Sequence, residues 1–186
     1  MDSDVSAGNG NTTVVGRLAL GITLLAFGLG TTGVIDGVAA SDAVSVAHYV
    51  GGVALFLIGL LAFRGGDSAS GTGFTVLGAL WFTWAVAAHG SANAAGLFLL
   101  LFALVALTLT LAGGDSLGQL MHGLLFLAML VLAVASFADS SSLVKVGGWV
   151  AAVSGAVAWY AATAALAHWP TTLPGRAAGR GVTAAG

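Results

Sequence analysis

The stretch Ser68 to Gly114, SASGTGFTVLGALWFTWAVAAHGSANAAGLFLLLFALVALTLTLAGG, runs 47 residues without an Asp, Glu, Lys or Arg. A helix crosses the hydrocarbon of a bilayer with about 20 apolar residues, so this stretch is long enough for two crossings. It breaks naturally at His89-Gly90-Ser91-Ala92-Asn93, the only polar, turn-forming cluster near its middle. On either side the charged residues cut the chain into four more uncharged runs, Leu18 to Ile35, Ala43 to Phe63, Ser116 to Ala138 and Val146 to Gly175. Each holds one crossing, which makes six. Unpaired backbone groups in lipid are costly, and the runs lack the strict alternation of barrel strands, so each is read as a helix. Neither Pro170 nor Pro174 falls within a span.

Composition supports the same class. Of the 186 residues, 58% are apolar and only 6% are charged, too few to cover a water-facing surface. The net charge of -2 gives no basis for binding nucleic acid. The absence of cysteine excludes disulfides, thiolate metal sites and cysteine nucleophiles. There is no phosphate-binding loop, metal-ligand cluster or nucleophile-base set, so neither an enzyme nor a cofactor is expected.

The expectation is an all-α integral membrane protein with a six-helix domain over residues 17–169. Residues 1–16, rich in Gly, Asn, Ser and Thr, and residues 170–186, rich in Gly and Ala, read as disordered tails. With six crossings the termini and the loops after the second and fourth spans share a side, which gathers Arg17, Arg64, Arg176 and Arg180. Only Lys145 lies opposite, so the positive-inside rule puts both termini in the cytoplasm. Small residues four apart predict close helix seams: Gly33 with Gly37, Gly148 with Ala152 and Ala156, and Ala151 with Gly155. Gly21 and Gly28 on the first span leave room for another helix, or a permeating molecule, against the backbone.

No ionisable Asp, Glu, Lys or Arg lies in the middle of a span, which weakens a pump reading. Most hydroxyls within the spans are expected to bond to a carbonyl one turn back. His48, His89, His122 and His168 lie near span ends, where imidazoles reach water or headgroups. Two facing pairs holding haem is the competing view.

Tyr49-Val50-Gly51-Gly52-Val53-Ala54, then Gly59 to Asp67 (GLLAFRGGD), Gly73-Phe74-Thr75 and Gly78-Ala79-Leu80-Trp81, follow one another in an order that resembles the acetate uptake transporter family, which includes the bacterial succinate-acetate permeases. Ala26-Phe27-Gly28 with Thr31-Thr32 resembles that family's first helix, and Gly147-Gly148-Trp149 with Ala158-Trp159-Tyr160 its last. The resemblance implies a six-helix protomer with its own pore, a homo-oligomeric ring, usually a hexamer, and passage of acetate-like monocarboxylates or succinate. It also implies a constriction of Phe, Tyr and Leu, which falls by position on Phe27, Leu77 and Leu125. The tyrosine is therefore replaced by Leu77. The family's Asn-Pro-x-Pro signature is absent from Val15 to Gly21, its glutamine aligns with Leu55, and an acidic residue aligns with Ala62.

A carboxylic acid with a pKa near about 4 to 5 is almost entirely anionic at neutral pH. The anion meets a large desolvation cost in lipid. A path must therefore offer donors without holding the ion tightly. Thr31, Thr32, Thr75, Tyr49 and Trp81 are the candidate donors, with Phe27, Leu77 and Leu125 as a dry neck. The expected role is a carboxylate channel or transporter in the plasma membrane. Two alternatives remain: passage of another small solute such as urea, ammonia or a neutral acid, and a haem-binding redox subunit.

Overall fold

The structure is a computed structural model and describes residues 2–87 and 91–169. Six long helices account for most of it: α1 (Asp2–Thr32), α2 (Val44–Arg64), α3 (Ser68–Ala87), α4 (Ala92–Leu111), α5 (Ser116–Ala138) and α6 (Ser141–Leu166). No strand occurs among the described residues. Five helices are long and apolar enough to cross a membrane, α1 over Gly10–Thr32 together with α2, α4, α5 and α6. α3 is as long as α4, 20 residues each, but Gly, Ser and Thr fill its first two turns and dilute its apolar character.

Helix boundaries follow local chemistry. Ser91, Asp115 and Ser140 take the N-cap positions of α4, α5 and α6, each accepting a hydrogen bond from the backbone N–H three residues on. Of the polar break expected between α3 and α4, His89 and Gly90 lie outside the described residues, while Ser91 is the cap that starts α4. α5 stops at Asp139, which takes the left-handed conformation (φ 47°) that short polar side chains tolerate. α6 then begins at Ser141, before the Val146 at which the sequence starts that span. Exposed Lys145 rides within its first turns, because a long cationic side chain near a helix end reaches the headgroups.

α1 likewise extends from Arg17 back to Asp2, through the stretch that composition assigns to a tail. There the Thr13 hydroxyl meets Asp67 Oδ2 at 3.4 Å and Ser70 Oγ at 3.2 Å, so tertiary contacts hold a segment of weak helix propensity. The tail assigned to 170–186 lies outside the described residues.

The helices form two three-helix rows, α3-α2-α1 and α6-α5-α4, joined by the seam between α1 and α6. At that seam the backbones nearly touch. A Cβ on Gly28 would sit 2.5 Å from Ala152 N, and one on Gly155 would sit 2.8 Å from Gly21 O. Gly21 and Gly28 therefore receive a helix, α6, and its Gly148, Ala152 and Gly155 are the matching small residues. A second seam joins α2 to α3, where a Cβ on Gly78 would lie 2.5 Å from Phe56 N. The Gly33 and Gly37 spacing is no seam. Both adopt positive φ (66° and 77°) in the loop after α1, and nothing lies within 4 Å of a Cβ built on either. They are turn residues, where glycine avoids the steric cost of the left-handed region.

One irregularity lies in α2. Residues Ala47–Ala54 are π-helical, and the buried Gly51 and Gly52 fall within that segment. A Cβ on Gly51 would lie 2.5 Å from Thr23 Cγ2 and 3.1 Å from Trp81 Cγ. The missing side chain at Gly51 leaves room for the large indole on α3.

Candidate functional site

α3 and α4 close the ring of helices with few backbone contacts. Large aromatic side chains bridge the gap instead. Trp81 of α3 meets Phe27 of α1 edge-on at 5.3 Å between ring centres, and Phe102 of α4 at 5.4 Å. Trp84 lies 5.8 Å from Phe27 and stacks on Phe98 at 6.1 Å. Leu77 and Leu125 are fully buried, and Phe27 is 4% exposed. All three belong to one buried cluster with Leu55, Phe74, Trp81, Phe102 and Met121. The interior of the bundle is thus filled by side chains, whereas the helix seams are closed by backbone.

Most hydroxyls in the helices are self-satisfied. Thr23 donates to Ala19 O at 2.8 Å, Thr31 to Phe27 O at 2.6 Å and Thr32 to Leu29 O at 2.7 Å. Thr83, Thr108, Thr110 and Ser136 follow the same pattern. Ser154 instead bonds across from α6 to Met121 O of α5 at 2.8 Å. Three buried polar atoms have no hydrogen-bond partner among the described residues: Thr75 Oγ1, Trp81 Nε1 and His122 Nδ1. Buried polar groups are nearly always paired, so three orphans in one small bundle stand out.

Phe27, Leu77, Leu125 and Trp81 are therefore gathered, whereas the half-buried Thr75 points its hydroxyl at Gly59 in the seam between α2 and α3. Thr31 and Thr32 sit near the far end of α1 with their hydroxyls spent on the backbone. Tyr49 does not join them. It is 66% exposed on the outside of the bundle, stacked on His48. His48 also meets the edge of Phe82, and His168 is exposed. His89 lies outside the described residues. No group of three or more metal-ligating side chains occurs among the described residues.

The interior opens at the end of the bundle that carries Arg17 and the α4–α5 loop. A pocket of about 200 Å³ is lined there by α1, α3, the end of α4 and the start of α5. Its deep wall holds Phe74 and Met121, one helical turn before Leu77 and Leu125. Its mouth holds Arg17, whose guanidinium donates to Asp115 Oδ1. In the sequence Arg17 serves only to orient the chain; its partner Asp115 lies 98 residues away and meets it only in the fold.

The chain matches the GPR1/FUN34/yaaH family over residues 3–173. It belongs to that family, the acetate transporter family its motifs resemble. Its fold is similar to the structure of the bacterial acetate channel SatP, with a TM-score of 0.79 over 88% of this chain and 97% of that one, at 22% identity. No curated protein matches it. With its apolar helices and this family membership, the chain is a multi-pass membrane protein.

Proposed function

We propose that this family member passes acetate-like monocarboxylates, and C4 acids such as succinate, through the interior of each protomer. The observation that carries the proposal is the side-chain-filled gap between α3 and α4, which continues from an open pocket into the buried ring of Phe27, Leu77, Leu125 and Trp81. Backbone-packed seams cannot open without parting helices, but side chains can change rotamer to admit a small solute. The named similarity to an acetate channel supports the same substrate class.

In this reading all six helices span the plasma membrane and both termini are cytoplasmic, so the Arg17 pocket faces inward. Arg17 and Arg64 at that end and Lys145 at the other agree with the positive-inside rule. Phe27, Leu77 and Leu125 form the neck. The unpartnered Trp81 N–H is the donor that partly replaces the water a carboxylate sheds there. The exposed apolar faces of α2 and α3, with Phe56 and Phe82 along a groove of about 360 Å³, suit a ring of like protomers, a hexamer by family resemblance.

A second reading, passage of a neutral solute such as urea, draws on the fully buried Leu55 and Leu77 lining an interior with little polarity. Competition separates the two. Labelled acetate influx into proteoliposomes at pH 7 is expected to exceed that of protein-free vesicles and to fall when unlabelled propionate, but not urea, is added. Competition by urea and none by propionate would favour the neutral-solute reading.

A further inference from the structure

We infer that Arg17 and Asp115 form a competitive latch at the pocket mouth: the guanidinium is the recognition group for an entering carboxylate, and Asp115 is the built-in rival that keeps recognition weak. The inference rests on the carboxylate reading above and assigns the residues that admit the substrate.

Among the described cations, Arg17, Arg64 and Lys145, only Arg17 lines the pocket. Its side chain is 19% exposed while that of Asp115 is 50% exposed, so the cation lies deeper and the carboxylate faces outward. A partly desolvated guanidinium such as this one is stabilised by an anionic partner. An incoming carboxylate is the same chemical group as the Asp115 side chain and presents the same two oxygens. Exchange of one for the other leaves Arg17 neutralised throughout, and a guanidinium has enough N–H donors to hold both briefly.

Asp115 is also suited to release its partner. Its Oδ2 accepts the Gly118 N–H at 3.1 Å as the N-cap of α5, so the side chain stays anchored when Oδ1 lets Arg17 go. Inward from the pair lies half-buried His122, which lines the same pocket and whose Nδ1 has no partner among the described residues. It gives the carboxylate a second polar contact before the apolar neck. The rivalry has a purpose: an open path needs entry binding weak enough that exit stays fast.

The test measures acetate binding to the purified full-length protein by saturation-transfer NMR, beside KM and maximal rate of acetate influx in proteoliposomes. Arg17→Gln is expected to weaken acetate binding about tenfold, the loss of one charged hydrogen-bonding partner. Asp115→Asn keeps the helix cap and frees the guanidinium, so binding is expected to tighten about tenfold while maximal rate falls. The opposite signs are the signature. A pair that merely staples α1 to α5 is lost in both variants, so shifts of the same sign, or none, would overturn the latch. If Arg17→Gln does not fold, Asp115→Asn decides alone: tighter binding supports the latch, and unchanged or weaker binding overturns it. Wild-type influx no faster than in protein-free vesicles refutes the carboxylate reading itself, whereas normal influx with both variants unmoved refutes only the latch.

Discussion

Gly28 shows how little freedom a single position has where two helices touch. A side chain there would meet the backbone of α6, which cannot rotate away as a flexible side chain can. Gly28→Val is therefore expected to cost at least the overpacking penalty of about 1–3 kcal/mol and to lower the thermal midpoint in detergent by several degrees. Gly10→Ala, with nothing within 4 Å, is the control that leaves the midpoint unchanged or slightly raised. Ser154→Ala removes a buried bond between α6 and α5 and is expected to cost about 0.6 kcal/mol, the usual worth of such a bond in a membrane protein. A midpoint that does not move in Ser154→Ala would show that Met121 O finds another donor. Gly148, Ala152 and Gly155 on α6 were legible in the sequence as small seam residues, although Ala156, expected with them, is exposed, and the self-bonded threonines were legible because they depend on neighbours within a turn. The exposure of Tyr49 was not, since it lies in a π-helical segment whose register departs from the α-helical spacing read in the sequence.

The start of α3 ties electrostatics to one element. Burial tends to raise the Asp67 carboxyl, but hydrogen bonds from the Ser70 side chain and backbone, from Thr13 and from the Ala69 backbone outweigh it and hold the group below its ordinary value of 3.8. The ionised form is thus favoured in the folded protein. Its stabilising contribution is fully present above pH 3.8 and is lost as pH falls through the lower folded value. Acid titration of the thermal midpoint is expected to show this loss in wild type and a shallower fall in Asp67→Asn, which keeps a capping side chain but does not titrate. An equal slope in both proteins would remove Asp67 from the account. The starts of α4 and α5 were readable at Ser91 and Asp115, since a cap is a local signal, whereas α6 begins at Ser141, ahead of the charged Lys145 that bounds its uncharged run. The backward extension of α1 was not, because Thr13 is held by Asp67 and Ser70, more than fifty residues away in sequence.

At the scale of the molecule, two rows of three helices share a backbone-tight seam at α1 and α6 and meet through side chains between α3 and α4. Charge spacing revealed the long apolar segments, but the pairing of helices depended on which glycines face one another. The resemblance named Phe27, Leu77 and Leu125, and they do share one buried cluster. The Arg17 pocket escaped the sequence reading because its two charges lie 98 residues apart. The central claim is that solute passes through the interior at Phe27. The most direct measurement is the initial rate of labelled acetate influx at pH 7 into vesicles holding equal amounts of wild-type or Phe27→Ala protein. The account predicts wild type above protein-free vesicles and Phe27→Ala faster still, since truncating the ring widens the neck. A wild-type rate equal to that of protein-free vesicles, or a Phe27→Ala rate identical to a functioning wild type, would contradict it.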